Sequence, residues 1–304
     1  MRSGVVVFGS LNMDLVARVP RMPEPGETLT GHGFLSNPGG KGANQAVACA
    51  RQGARVEMVG RLGDDGFAAE LRAELARQGV AADGVGTAAG QSTGVAMIMV
   101  DDGAQNCIAV IPGANALVDV ADARALGSRL QAAGLLLLQL EVPMAAVAQA
   151  AAEAHAAGCK VLLNPAPARE LPATLWPLID MLVVNENEAR LLSGLPAVTR
   201  DNAAQAARIL RERGPGDVLV TLGREGVVWS SAAGTQHFDA VAVQAVDTTA
   251  AGDTFIGALA ALLVEGRSMQ DAIRHAIRAA AICVTRPGAQ ASMPDRREVD
   301  ALLS

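Results

Sequence analysis

Short apolar runs alternate with segments of helical periodicity in the first part of the chain. The run Val5 to Phe8 is followed by an apolar periodic segment through Ala43 and Ala50. The run Val56 to Val59 is in turn followed by a second such segment that ends at Gly79. Runs of this length are typical of strands buried on both faces, and strands that alternate with helices build parallel sheets. The pattern predicts βα units.

The same alternation returns from Leu135 onward. Apolar runs at 135–140, 161–163, 181–184 and 218–222 are separated by segments that predict helices, one of them at about 199–213. A further alternating run, Val241, Val243 and Ala245, is expected to be a strand before the next helix. The fold class predicted for residues 1–304 is therefore a single α/β domain with a doubly wound, mostly parallel sheet flanked by helices.

Two segments interrupt this alternation. Residues 19–35 are rich in Pro and Gly, and the runs 95–100 and 107–111 are joined by Asp101-Asp102-Gly103, as in a β-hairpin. We expect these segments, about 15–36 and 93–112, to form a small β-strand lid over the ligand-binding edge of the sheet.

Composition excludes several classes of function. The formal net charge of -6 and the pI of about 5.3 argue against nucleic-acid binding, which requires a basic face. No apolar run reaches membrane-spanning length, and the run at Val5 is too short for a signal peptide. The four cysteines lack C-x-x-C spacing, which favours reduced, packed thiols. A soluble, cytoplasmic protein that acts on small molecules is expected.

The stretch 247–255, Asp-Thr-Thr-Ala-Ala-Gly-Asp-Thr-Phe, contains the residues that a phosphoryl-transfer site requires. Ala250, Ala251 and Gly252 are small residues at a predicted helix start, where unpaired backbone N–H groups bind anions. Asp253 would point from the first turn into the same space, where a carboxylate can take a proton from a hydroxyl. The alternative is that Asp253 only complements the helix dipole.

This stretch resembles the C-terminal signature of the ribokinase family of sugar and nucleoside kinases, also called the PfkB group. The run 39–46, Gly-Gly-Lys-Gly-Ala-Asn-Gln-Ala, resembles the N-terminal signature of that family, and its residues are close to those of the ribose-phosphorylating members. The resemblance spans nearly the whole chain. It implies a ribokinase-like fold, a homodimer formed through the lids, and transfer of the γ-phosphoryl group of ATP to the 5-hydroxyl of D-ribose. Alternatives are a nucleoside or deoxyribose kinase of the same family and a non-catalytic sugar-binding regulator.

Polar residues follow predicted strand ends, where open α/β sheets bind ligands. Asn12 and Asp14 follow the first strand, and Glu141 follows the run at Leu135, but turn formation or helix capping would also account for these residues. Lys41 is one of only two lysines in a chain rich in Arg, which suggests a selected point charge. The resemblance assigns these sugar-binding positions: Asn12, Met13, Asp14, Gly40, Lys41, Gly42, Ala43, Asn44, Glu141 and Asp253.

Asn185 and Glu188 resemble the N-x-x-E motif with which the family organises nucleotide phosphates and Mg²⁺, although the same spacing also fits a helix cap. The segment 221–226 lies between two apolar runs, so it predicts a hairpin turn, and the resemblance makes it a wall of the nucleotide site. Ile277 stands where relatives commonly offer a polar residue to adenine. The nucleotide-binding positions so assigned are Asn185, Glu188, Thr221, Leu222, Gly223, Arg224, Glu225, Gly226, Gly252, Asp253 and Ile277.

The resemblance also implies a monovalent cation, K⁺, beside the anion site. The positions that would surround it are Asp247, Thr249, Cys283, Arg286, Gly288 and Ser292.

Two motifs that would indicate another class of enzyme are not supported by the sequence. The phosphate-loop pattern G-x-x-x-x-G-K-[ST] is absent, and the G-x-S-x-G match at 90–94 precedes a predicted strand where a serine hydrolase requires a helix.

Overall fold

The structure, a computed structural model, describes residues 3–103 and 105–302. Its strands have the following bounds: β1 (Val5–Phe8), β2 (Asn12–Val19), β3 (Gly33–Gly39), β4 (Val56–Leu62), β5 (Val80–Thr87), β6 (Gly94–Asp101), β7 (Asn106–Ile111), β8 (Leu135–Leu138), β9 (Lys160–Leu163), β10 (Met181–Asn185), β11 (Asp217–Thr221), β12 (Val227–Ser231) and β13 (Gly234–Phe238). Its helices have the following bounds: α1 (Lys41–Arg51), α2 (Gly66–Arg77), α3 (Val120–Arg124), α4 (Gly127–Ala132), α5 (Met144–Ala157), α6 (Glu186–Ser193), α7 (Ala203–Glu212), α8 (Ala251–Val264), α9 (Met269–Cys283) and α10 (Arg296–Ala301).

A nine-stranded sheet in the order β13-β12-β11-β10-β9-β8-β1-β4-β5 organises the molecule. Neighbouring strands are parallel from β11 to β5, and β12 and β13 are added antiparallel at one edge. Both faces are covered, since Val5 and Val7 of β1 lie in one apolar core and Val6 and Phe8 lie in the other. The prediction of a doubly wound, mostly parallel α/β sheet is confirmed.

A second, four-stranded sheet in the order β3-β2-β6-β7 forms the lid. Strands β2 and β6 are parallel, whereas β3 and β7 are added antiparallel at the two edges. The lid is anchored because Asn12 and Met13, at the start of β2, are buried beside the end of β1. That residues 1–304 make a single domain stays a prediction.

Several segments of the fold differ from what the sequence patterns indicate. Asn12 and Asp14 do not lie in a turn, which was the alternative to a ligand-binding role, but on β2, because the chain enters the second sheet directly after Leu11. The prediction of a strand from Val241 to Ala245 is wrong: these residues form no strand, and their apolar side chains line a cavity. Strand β5 has no predicted counterpart, because this edge strand is half exposed and lacks an apolar run.

Within the described residues, no helix combines the length and apolar character needed to cross a membrane. Cys107 lies exposed on β7, contrary to the expectation that all four cysteines are packed, because β7 is the edge strand of the lid.

Candidate active site

The backbone at Ala250 sets the direction in which α8 enters the site. Ala250 has a φ of 60°, and it is the one residue other than glycine with positive φ in the described part of the chain. This left-handed conformation is strained for a residue with a Cβ, and such strain clusters at functional sites. The carbonyl of Ala250 accepts from the N–H of Thr254 at 2.8 Å, so the helix starts directly after the strained residue.

The first N–H groups of α8 are not equivalent. The N–H of Ala251 donates to the Thr248 carbonyl at 3.3 Å, whereas those of Gly252 and Asp253 have no hydrogen-bond partner among residues 3–103 and 105–302. A Cβ at Gly252 would meet no atom within 4 Å, so this helix end faces open space. Gly252 and Asp253 therefore supply the free donors, and Ala251 contributes less than the sequence pattern suggested.

The carboxylate of Asp253 is buried and oriented by two side-chain amides of α1. Asn44 Nδ2 donates to Asp253 Oδ2 at 3.1 Å, and Gln45 Nε2 donates to Asp253 Oδ1 at 3.0 Å. The two donors join the N-terminal and C-terminal signature segments at a single carboxylate. Each oxygen still has a lone pair directed elsewhere, so the group can accept a proton from a ligand.

Glu141 is placed by the start of α1. Its Oε2 accepts the N–H of Lys41 at 2.9 Å and the hydroxyl of Ser10. Gly40, which precedes the helix, has a φ of 85°, and a Cβ there would lie 2.7 Å from the backbone nitrogen of Asn12. Glu141 is thus a helix-capping acid, but for α1 and not for α5, the helix that follows it in sequence.

Asn12 is buried beside this group. Its Oδ1 accepts from Asn115 Nδ2 at 2.7 Å, while its Nδ2 makes no hydrogen bond with the described residues. Asn12 can therefore donate to a ligand hydroxyl. Met13, Gly42 and Ala43 are buried and offer a ligand no polar side chain.

Asp14 extends over Gly39, where a Cβ would lie 2.2 Å from its Oδ2. Burial, together with the negative charges of Glu141 and Asp253, raises the pKa of Asp14 to about 7, although Lys41 opposes the shift. A carboxyl group in this state can donate or accept a hydrogen bond near neutral pH.

Lys41 lies among these acids. The negative charge of Asp253, with smaller contributions from Glu141, Glu188 and Asp14, outweighs burial and raises the pKa of the Lys41 ammonium. Its side chain lines a cavity of about 230 Å³ together with Asn185, Glu188, Gly252 and Asp253. The cation is therefore placed to attract a phosphoryl group as well as a sugar.

A larger cavity of about 470 Å³ lies beside the smaller one, and Thr221, Thr248, Ala251 and Gly252 line both. Its remaining wall is mainly apolar and includes Ile277. Thr221, Gly223, Arg224 and Gly226 line it as well, in the connection between β11 and β12. Leu222 and Glu225 do not line it, because Leu222 is buried in the core behind the turn and Glu225 lies on its exposed side.

Asn185 and Glu188 form a reciprocal cap at the start of α6. Asn185 Oδ1 accepts the N–H of Glu188 at 2.9 Å, and Glu188 Oε2 accepts the N–H of Asn185 at 3.0 Å. Burial raises the pKa of Glu188. The capping interpretation is correct, and both side chains also line the smaller cavity.

The residues expected around a monovalent cation are drawn together behind the start of α8. Asp247 accepts from the N–H groups of Thr249 and Gly288, each at 2.9 Å. Burial opposes ionisation, but these hydrogen bonds prevail and lower the pKa of Asp247. Cys283 Sγ contacts Ser292 Oγ at 3.0 Å and donates to the Thr249 carbonyl.

Arg286 departs from this group, because its guanidinium pairs with Glu298 on α10 and leaves only its backbone near the loop. No cluster of three or more His, Cys, Asp or Glu residues suited to a metal ion occurs in residues 3–103 and 105–302.

Sequence patterns did not identify the buried amides around Asp253. These are Gln45, Gln139, Asn164 and Gln290. Asn164 directly follows β9, so the strand-end rule that selected Asn12 and Glu141 also applies to it. Gln45 lies inside the signature run 39–46, but a Gln in an apolar helix gives no separate signal.

Comparisons with known proteins give one consistent result. The model of the family described as pfkB family carbohydrate kinase matches residues 2–296. A Ribokinase of Haemophilus influenzae is 41% identical over 98% of this chain and 97% of its own length. A Deoxyribokinase of Salmonella typhimurium is 38% identical over 99% of this chain and 98% of its own length. The solved structure of Arabidopsis thaliana Ribokinase complexed with Ribose and ATP covers 100% of this chain and 99% of its own, with 36% identity and a TM-score of 0.92.

Proposed function

The chain belongs to the pfkB family of carbohydrate kinases, and from that premise we propose that it is a ribokinase, which phosphorylates the 5-hydroxyl of D-ribose with ATP. One observation supports this most directly. The buried carboxylate of Asp253 and the free N–H of Gly252 lie where a cavity large enough for a nucleotide joins a smaller polar one. A nucleotide in the larger cavity would present its γ-phosphate to the start of α8.

The chemistry follows from this arrangement. Asp253 takes the proton of the 5-hydroxyl as the new O–P bond forms and the bond from the γ-phosphorus to the bridging oxygen of ADP breaks. The N–H groups of Gly252 and Asp253, with the ammonium of Lys41, stabilise the charge on the transferring group. Asn12, Asp14 and Asn44 hold the sugar so that its hydroxyl faces Asp253.

The chemistry of the donors suits two cations. Asn185 and Glu188 offer amide and carboxylate oxygens beside the smaller cavity, a set suited to Mg²⁺ held mainly through nucleotide phosphates. Bound there, Mg²⁺ would neutralise charge on the phosphate oxygens. Asp247 and nearby backbone carbonyls suit K⁺, which would fix the loop before Ala250. Both cations are part of the proposal.

The sugar is the finer part of the assignment. D-Ribose is favoured because buried or half-buried polar groups at 12, 14, 44 and 141 surround the sugar end, and a pocket with such groups penalises a ligand that lacks a hydroxyl. The similarity to a Deoxyribokinase keeps 2-deoxyribose as the second candidate. A nucleoside kinase and a non-catalytic regulator are the remaining alternatives. The presence of Asp253, the candidate base, argues against a non-catalytic regulator.

A homodimer formed through the lid is also part of the proposal, as is a cytoplasmic location, where ATP is available. Directly paired strand residues share a face, so Asp14, Ala96 and Val110 lie on one side of the lid. The same face continues in Leu35 and Ile108, which are 51% and 53% exposed. Exposed apolar residues that adjoin a ligand site favour burial by a second copy.

The test is ADP release measured with D-ribose, 2-deoxyribose, other pentoses, hexoses and nucleosides, with the product analysed by phosphorus NMR. The proposal predicts the highest kcat/KM for D-ribose and a 5-phosphate product. Preference for 2-deoxyribose or a nucleoside would transfer the assignment to that substrate, and no turnover with any acceptor would favour the regulator.

A further inference from the structure

The amides behind Asp253 form a continuous chain between two carboxylates. Gln139 Nε2 donates to Gln45 Oε1 at 2.6 Å, and Gln45 Nε2 donates to Asn164 Oδ1 at 3.2 Å. Asn164 Nδ2 then donates to Glu188 Oε2 at 3.4 Å. Gln45 Nε2 also donates to Asp253, so a single amide contacts the candidate base and the next link of the chain.

The direction of these hydrogen bonds is fixed by chemistry. Glu188 and the Val183 carbonyl can only accept, so Asn164 must turn its nitrogen toward them and its oxygen toward Gln45. The carboxylate of Asp253 likewise requires the nitrogen of Gln45. Both hydrogens of Gln45 Nε2 are then used, one for Asp253 and one for Asn164, and its oxygen is left to accept from Gln139.

Burial makes this arrangement difficult to change. Gln45 and Gln139 are 0% exposed and line neither cavity, so water cannot replace a partner lost by either amide, whereas Asn164 borders the smaller cavity. Reversing the Gln45 amide would place its oxygen against the Asp253 carboxylate and against Asn164 Oδ1. Two unfavourable contacts would arise together, which holds the chain in one orientation.

We propose that Gln45 is a positioning residue for phosphoryl transfer, and that Asn164 connects it to Glu188 so that the base and the nucleotide-binding acid are oriented as one unit. This inference rests on the proposed kinase function. Gln45 does not line either cavity described above. It acts through Asp253, since the hydrogen bond to Oδ1 sets the direction of the lone pairs that face the sugar hydroxyl.

The test is Gln45→Met, which keeps the length of the side chain and removes its hydrogen bonds. The matched control is Gln52→Met. Gln52 is also buried at the other end of α1, where it bonds His275 and the Pro294 carbonyl, away from Asp253. Gln45→Met should lower kcat about tenfold to a hundredfold with little change in either KM, whereas Gln52→Met should leave kcat within about twofold of the parent.

A double-mutant comparison separates positioning from general damage. In the background Asp253→Asn, which removes the base, Gln45→Met should lower the residual kcat by less than about twofold, because nothing remains to be positioned. An equal fold-loss in both backgrounds would overturn the proposal. An equal loss for Gln45→Met and Gln52→Met would overturn it too.

Gln139→Met provides a second route if Gln45→Met does not fold. It removes only the donor to Gln45 Oε1, and kcat should fall about threefold to tenfold while the affinity for D-ribose, measured by calorimetry, is kept. An unchanged kcat would contradict the proposed role of the hydrogen bonds that link Gln139, Gln45 and Asn164. If the parent protein itself shows no sugar phosphorylation, the proposed function fails and not merely this inference.

Discussion

At the scale of single residues, the site depends on acids whose hydrogen-bond partners differ. The carboxylate of Asp253 accepts two amide hydrogen bonds and that of Glu141 accepts a helix N–H, whereas the carboxyl group of Asp14 has no hydrogen-bond partner among the described residues. Burial, together with the negative charges of Glu141 and Asp253, raises the pKa of Asp14 to about 7, and no hydrogen bond from these residues to its carboxyl group offsets this shift. The differences predict distinct consequences of substitution.

Asp14→Ala should raise the KM for D-ribose without a comparable change in the KM for ATP. The expected increase is about tenfold to a hundredfold, since an unmet polar group in a pocket costs about 1 to 3 kcal/mol. The cavity proposed for the nucleotide does not include Asp14, so ATP serves as the internal control. Steady-state kinetics with each substrate varied in turn measures the effect. An increase confined to the KM for ATP would place the sugar elsewhere.

Asp14→Asn tests the raised pKa through stability. Between the unfolded value near 3.8 and the folded value of about 7, the folded ligand-free protein binds more protons at this site than the unfolded chain. The stabilisation contributed by protonated Asp14 is therefore lost as pH rises toward 7.

The neutral variant Asp14→Asn has no such loss. The free energy of unfolding of the variant minus that of the parent should therefore increase by on the order of 1 kcal/mol for each pH unit as pH rises from about 4 to 7. Above pH 7 the difference should stay level. Urea unfolding at pH 5, 6, 7 and 8 measures the difference, and a constant difference over this series would show that the pKa of Asp14 is not raised.

At the scale of elements, strand ends and helix starts account for most of the site. Buried runs such as Leu135 to Leu138 were predictable because strands covered on both faces consist of apolar residues. The structure of the segment at Val241 was not predictable from its sequence. A cavity wall also contains spaced apolar residues, so the alternating pattern does not distinguish a cavity wall from a strand. Gln45 was not identified either, since the partners of a buried amide come from distant segments.

From the arrangement of the loop that contains Asp247 and Thr249, we expect potassium ions to increase the turnover of the enzyme. Because it leads directly into the strained Ala250, a cation that fixes the loop should fix the free N–H groups of α8. The kcat should be several-fold higher in potassium chloride than in sodium chloride at matched ionic strength, by an effect on the order of 1 kcal/mol.

Asp247→Ala should abolish this difference, and the exposed acid Asp201, changed to Ala, is the control that should retain it. Equal rates of the parent protein in both salts would refute a cation site at this loop.

At the scale of the whole molecule, the lid joins the proposed sugar site to the proposed dimer interface. The face that carries Asp14 also carries Ile108, whereas Met97 points to the opposite face of the same sheet. Both residues are more than half exposed, at 53% and 56%. The two faces of one sheet therefore offer a matched pair of substitutions.

Ile108→Lys should weaken self-association about tenfold or more, because a charge would be buried at the contact, while Met97→Lys should leave it unchanged. Sedimentation over a range of protein concentrations measures the dissociation constant. A parent protein that is monomeric at all concentrations, or equal effects of the two substitutions, would exclude this face as the interface.

The most direct test of the account is the turnover of Asp253→Asn with D-ribose and ATP. The substitution keeps the shape of the side chain and removes the proton acceptor, so kcat should fall by roughly 10² to 10⁴ while ATP binding, measured by calorimetry, is retained. A variant that phosphorylates D-ribose within about threefold of the parent rate would contradict the assignment of Asp253 as the base.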